Sequence, residues 1–219
     1  MKFTLPRNRV DRISFILSLI LRFSLVIAII ISILMGEWTP LYTSILTLLL
    51  TFLPAIFEKN YKISLPAEFE IIIIIFIYAS IFLGEVQGYY TKIWWWDIFL
   101  HTFSGLILGF IGFIILYVLY DKNFIKARPL ILVIFSFSFA LAIGAIWEIF
   151  EFAMDSIFGL NMQKSGLVDT MWDLIVDALG AFIISLAGYH YLKKVESPLF
   201  KRLIRRISSE NPDYFEAEN

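Results

Sequence analysis

The 219-residue chain is 59% hydrophobic and only 17% charged, with a formal net charge of −1 and a mean hydropathy of +0.80. A soluble core of this size cannot hide so much apolar surface, so lipid must be the solvent for most of it. Cysteine is absent, which excludes disulfides, thiolate metal sites and cysteine nucleophiles but says nothing about the redox state of the compartment.

Taken in chain order, Arg7, Arg9 and Arg12 precede an apolar run, Ile13–Met35, that is too long for a secretory h-region and lacks an A-x-A-like cleavage site. It reads as a retained first membrane helix. Leu41–Phe57 and Phe69–Leu83 follow as shorter spans, then Ile98–Leu119, Leu130–Phe152 and Met171–Leu192. Pro40, Pro54, Pro66 and Pro129 fall near span ends, where a missing N–H costs little. Trp94–Trp96 suits a short interfacial segment before span four. The expected fold is therefore all-α and polytopic, with about six transmembrane helices, residues 1–197 forming one membrane domain. Residues 198–219 form a tail. In it, KRLIRR is basic and amphipathic, suited to anionic lipid rather than nucleic acid, and SSENPDYFEAEN reads as disordered.

Outside the spans, fifteen Lys and Arg residues fall on one side of this topology, while the other side has only Lys92 and Lys164. The positive-inside rule then places both termini in the cytoplasm of an inner-membrane protein. All six tryptophans fall at the outer ends of the spans, where amphipathic rings favour the interface. Arg22 lies within span one, free to snorkel inward or to pair with Glu68 or Glu70.

The same topology places nine acids on the outer side, more than the orientation rule requires, since that rule concerns bases. Their spacing is specific. Asp97, His101, Gly105 and Gly109 share one face of span four. Gly144, Glu148, Glu151 and Asp155 share one face of span five. Asp169, Asp173, Asp177 and Ala181 share one face of span six. Small residues let membrane helices approach closely, so the three faces are expected to pack together and gather the acids above them in a pocket opening outward. Crowded carboxylates in a membrane need protons or a cation. Asp, Glu and one His at these spacings suit a divalent cation, Mg, Mn, Fe or Zn, with Asp97, His101, Glu148, Glu151, Asp173 and Asp177 as candidate ligands and Asp155 and Asp169 at the periphery. Protonated, hydrogen-bonded carboxylates and independent solvated helix ends are the alternatives. Asp169 also suits a helix N-cap.

The strings WWWDIFLHTFSGLILG, WEIFEF and DTMWDLIVDALGA resemble the bacterial inner-membrane YjdF-like family, whose members carry a domain of unknown function. The last string also resembles the close of VanZ-like membrane proteins. The resemblance implies a polytopic inner-membrane protein and supplies no reaction or catalytic residue.

Three function classes stay open. A metal-dependent hydrolase or transferase on a lipid or lipid-linked headgroup would use the cation to polarise a phosphoryl or carbonyl oxygen, with a spare carboxylate as base. Against it, no serine, lysine or arginine is evident in the cluster to bind a phosphate. A cation or proton transporter would need a polar route below the acids, where the faces turn small and apolar. A scaffold or sensor would need only a structural ion.

Overall fold

A computed structural model describes residues 9–195 and 197–215; Lys2, Arg7 and the end of the acidic tail, residues 216–219, lie outside the described residues. The expected all-α membrane fold is borne out: among the described residues six helices or helix pairs are long and apolar enough to cross a bilayer. They are α1 (Arg9–Met35), α2 with α3 (Trp38–Leu50, Leu53–Tyr61), α4 continuing into a π-helical segment (Ala67–Ile77, Tyr78–Val86), α6 (Trp96–Asp121), α7 (Pro129–Phe158) and α8 (Leu167–Leu192). Short α5 (Tyr89–Lys92) precedes α6, while α9 (Pro198–Glu210) and α10 (Pro212–Phe215) follow α8.

The helices are inside-out relative to a soluble bundle. On α1 the buried residues are Ser14, Ser18, Leu25 and Ser32, whereas Phe23 is 67% exposed and Leu34 81% exposed. Small residues at helix contacts and large ones facing outward are what lipid solvation selects.

The chain forms two compact units, one through Trp96 and one from Asp97 onward. In the first, α1 packs on α2 and α4, with Ser44, Thr47 and Thr51 buried on α2. Span two breaks between Leu50 and Leu53, where Pro54 cannot continue the amide ladder. Arg22 meets this break: its Nη2 donates to the Thr51 carbonyl at 2.9 Å, its Nε to the Thr51 hydroxyl at 3.2 Å, and its guanidinium lies 4.4 Å from the Phe52 ring centroid. Its hydrogen-bond partner is thus Thr51, which the sequence does not suggest.

In the second unit the three expected faces meet. On α6 Gly105, Gly109 and Gly112 are buried; on α7 Ser136, Ala140, Gly144 and Glu148; on α8 Asp173, Asp177, Gly180, Ala181, Ser185 and Gly188. A Cβ on Gly105 would collide with the Asp177 carbonyl oxygen, and one on Gly180 with the Thr102 carbonyl oxygen, so α6 and α8 touch backbone to backbone. Ser136 donates to the Gly109 carbonyl at 2.6 Å and stands 2.9 Å from the Ser185 hydroxyl, tying all three helices together.

The tail departs from expectation. Residues 208–215, expected to be disordered, complete α9 and form α10 around Asn211. Phe200 and Ile204 are buried, with Phe200 edge-on to Phe110 and Phe113 and beside Tyr191. Apolar side chains spaced four apart give α9 a face to bury, and Gly188 leaves room for Phe200. Lys201, Arg202 and Arg205 remain exposed.

Candidate metal centre

Asp97 occupies the first turn of α6, one helical turn before His101, and Asp173 and Asp177 lie one turn apart on α8. The backbone contact at Gly105 and Gly180 brings these two pairs face to face. His101 stands at the middle. Its Nε2 lies 3.7 Å from Asp97 Oδ1 and 3.9 Å from Asp173 Oδ1, while its Nδ1 lies 3.3 Å from Asp177 Oδ2. One ligand atom from each of Asp97, His101 and Asp173 fits within 4.8 Å of the others.

Asp177 is positioned from three sides. Ser104 donates to its Oδ1 at 2.7 Å, His101 meets its Oδ2, and the absent side chain of Gly144 makes the space that Oδ2 fills, since a Cβ there would approach it to 2.5 Å. With the imidazole proton on Nδ1, Asp177 accepts it and the Nε2 lone pair faces Asp97 and Asp173. A carboxylate behind the imidazole is how proteins commonly orient a metal-ligating histidine.

Glu148 reaches the cluster from α7. It is 4% exposed, and neither of its carboxylate oxygens meets a hydrogen-bond donor among the described residues. The Thr170 hydroxyl, which accepts from Gln163 Nε2 at 2.6 Å, stands beside Glu148 but outside good hydrogen-bond geometry to it. Leaving a buried carboxylate without a donor costs several kcal/mol by order of magnitude, roughly the desolvation of one charged group.

The remaining candidates are peripheral. Glu151, half-buried, accepts from Trp147 Nε1 at 2.9 Å. Asp155 accepts from the Met162 and Gln163 amides at 2.7 and 2.9 Å and braces the loop between α7 and α8. Asp169 lies under that loop, within electrostatic reach of Asp97 and Lys164.

Two features differ from the sequence reading. The central acids are buried instead of lining an open pocket, because the small faces close on them: Asp173 is 4% and Asp177 2% exposed. Lys164, which spacing alone leaves in a loop, reaches Asp97 with Nζ 2.9 Å from Oδ2. The loop between α7 and α8 thus brings a lysine counter-charge to the cluster. Ser104 was also missed, although it sits three residues after His101 on the same helical face and a period-based reading could have found it.

Residues 13–194 match the model of a family described as "Predicted membrane protein (DUF2238)". The chain belongs to the DUF2238 family. An uncharacterized protein of Thermotoga maritima is 28% identical over 143 residues, which cover 65% of this chain and 72% of the relative. No solved structure matches the chain. For this DUF2238 protein the matched region runs from Ile13 in α1 to the end of α8 and takes in every residue of the carboxylate cluster.

Proposed function

We propose that this multi-pass membrane protein binds a divalent cation through Asp97, His101 and Asp173, with Glu148 as a fourth ligand and Asp177 as the residue that orients the imidazole. The observation carrying this reading is the two-sided environment of His101: one ring nitrogen is committed to an anchored carboxylate and the other faces two carboxylate oxygens. Ligand atoms on one ion at bonds of about 2.1 Å stand roughly 3.0–3.5 Å apart, so the 3.7 and 3.9 Å spacings need a small contraction and the three ligand atoms, all within 4.8 Å of one another, must draw together around the ion. The orphaned Glu148 carboxylate supplies an independent motive, because a cation would satisfy it. Mixed oxygen and imidazole donors suit Mn, Fe or Zn, and Mg less well.

On this reading the protein is a YjdF-like inner-membrane protein with cytoplasmic termini and the centre at the outer leaflet, supported by the distribution of bases. Its activity class is a metal-dependent hydrolase or transferase on a lipid or lipid-linked headgroup. Such a cation supplies Lewis acidity toward a phosphoryl or carbonyl oxygen. A spare carboxylate outside the ligand set would serve as base, and Lys164 and Ser104 provide the cationic and hydroxyl groups that the sequence reading lacked. The exposed bases of α9 would rest on anionic headgroups at the opposite surface.

Conduction is less well supported. Below Ser104 the next polar pair is Ser136 with Ser185, and beyond it Phe113 and Phe200, both at most 2% exposed, fill the way. The test is elemental analysis of the purified protein beside Asp173→Asn and Glu148→Gln. Stoichiometric metal lost in both variants supports the centre; metal at the same level in all three removes it. Uptake of Mn2+ by proteoliposomes would return the transporter to first place.

A further inference from the structure

Lys164 has no part in the ligand set, yet it holds one of the proposed ligands. Its ammonium lies 2.9 Å from Asp97 Oδ2, an ion pair at the edge of the cluster. The pair sits on the accessible side of the centre: the side chains of Lys164 and Asp97 are 29% and 22% exposed, against 5% for Asp173. An ion arriving from solvent meets this pair first.

The loop carrying Lys164 is built to hold it there. Gly159 ends α7 with φ of 66° and Gly166 opens α8 with φ of 66°, a conformation that glycine adopts at little cost. Between them Asp155 accepts two consecutive loop amides, Gln163 Nε2 donates to Thr170, and the Gly166 amide donates to the Gln163 carbonyl at 2.7 Å. The loop is thus held by its own hydrogen bonds, and a tethered, pre-ordered ammonium acts at a high effective concentration. A divalent ion and an ammonium on one carboxylate would also stand close enough to repel each other strongly in a partly buried site.

We propose that Lys164 is a tethered cation that occupies Asp97 until a divalent ion displaces it, and so sets how tightly the centre binds. This rests on the metal reading of the same site, itself supported independently by the orphaned Glu148. Lys164 is a specificity determinant: a weakly held ion loses to it, whereas an ion with strong affinity for oxygen and imidazole donors displaces it. Asp155 is a positioning residue acting through the loop.

The experiment is an Mn2+ titration of the full chain in detergent, followed by electron paramagnetic resonance of free Mn2+, for wild type, Lys164→Met, Lys164→Arg and Asp155→Ala. Lys164→Met should bind Mn2+ on the order of tenfold more tightly or better. Asp155→Ala should show a smaller gain, and Lys164→Arg should resemble wild type. Acetylation of Lys164, read by mass spectrometry, should rise when Mn2+ is added to wild type. Unchanged or weaker Mn2+ binding in Lys164→Met, or Lys164 acetylation that does not rise with Mn2+, overturns the role given to Lys164 while leaving the centre standing. Absence of Mn2+ binding in wild type and in folded Lys164→Met alike, with no Fe or Zn retained by either on elemental analysis, overturns the centre itself.

Discussion

Gly180→Ala should be among the most damaging single-methyl changes in the second unit. The added Cβ would stand about 1 Å inside contact distance of the Thr102 carbonyl oxygen, with the Leu106 amide nitrogen at 3.1 Å behind it. Both obstacles are backbone, so relief requires α6 and α8 to part by about that amount. The same separation carries the bonds from Ser104 to Asp177 at 2.7 Å and between His101 and Asp177 at 3.3 Å, which would lengthen beyond hydrogen-bond range. Overpacking costs about 1–3 kcal/mol. Two lost hydrogen bonds add about 1 kcal/mol each, and better helix propensity returns up to about 1 kcal/mol. The net loss, about 2–4 kcal/mol, corresponds to a fall in Tm on the order of 10 °C for a chain of this length. Gly109→Ala is the comparison, because its Cβ would collide with a side-chain methyl, Ile184 Cγ2, while the nearest backbone, Ala181, stays in ordinary contact at 3.5 Å, so relief costs a strained Ile184 χ1 and not the parting of two helices. Thermal melting in detergent is the assay. If Gly180→Ala melts at or above wild type, or no lower than Gly109→Ala, the backbone-contact account of this interface is wrong.

Glu148→Gln removes a buried carboxylate that has no donor, so the metal-free protein should melt higher by a few degrees while any gain from metal shrinks; melting with chelator and with Mn2+ checks both signs. Phe200→Ala should cost about 3 kcal/mol and undock α9, seen as faster proteolysis after Lys201, Arg202 and Arg205. Arg22→Met leaves the Thr51 carbonyl without its donor and should cost about 1–3 kcal/mol, measured as a drop in Tm without loss of bound metal. Cysteines introduced at exposed Ser209 and Leu160 should label from opposite sides of the membrane, with Ser209 cytoplasmic; labelling from one side would discard the proposed topology.

Four of the spans were legible because stretches of about twenty predominantly apolar residues leave a chain few other options, and the two shorter ones, Leu41–Phe57 and Phe69–Leu83, reach that length only with flanking residues. The packing of α6, α7 and α8 was legible for a related reason: Gly105, Gly144, Gly180 and their ionisable neighbours repeat at helical spacing, and in lipid small faces are the contact faces. What the period cannot show is anything made by loop closure or by a local break. Lys164 reaches Asp97 across 67 positions through a loop held by Asp155, and nothing in the spacing of either residue marks that contact. The Arg22 partner at Thr51 depends on a helix interruption that Pro54 only hints at. Phe200 was hidden because the bases around it dominate the composition of α9, although its spacing from Ile204 carries the signal of a buried face. Glu148 stood out for its depth, but it is the packing around it that leaves its carboxylate without a donor among the described residues, and spacing carries no sign of that.

The central claim, that this centre holds a divalent cation, is tested most directly by the melting temperature of the purified protein after chelation and after restoring Mg, Mn, Fe or Zn separately. Saturating a site that only the folded form possesses adds about 2.7 kcal/mol at a hundredfold excess over Kd, or roughly 5–10 °C at this chain length. The account predicts such a rise in wild type with at least one of Mn, Fe or Zn, and none in Asp173→Asn. Equal melting of wild type with and without every metal, or an undiminished rise in Asp173→Asn, would contradict it.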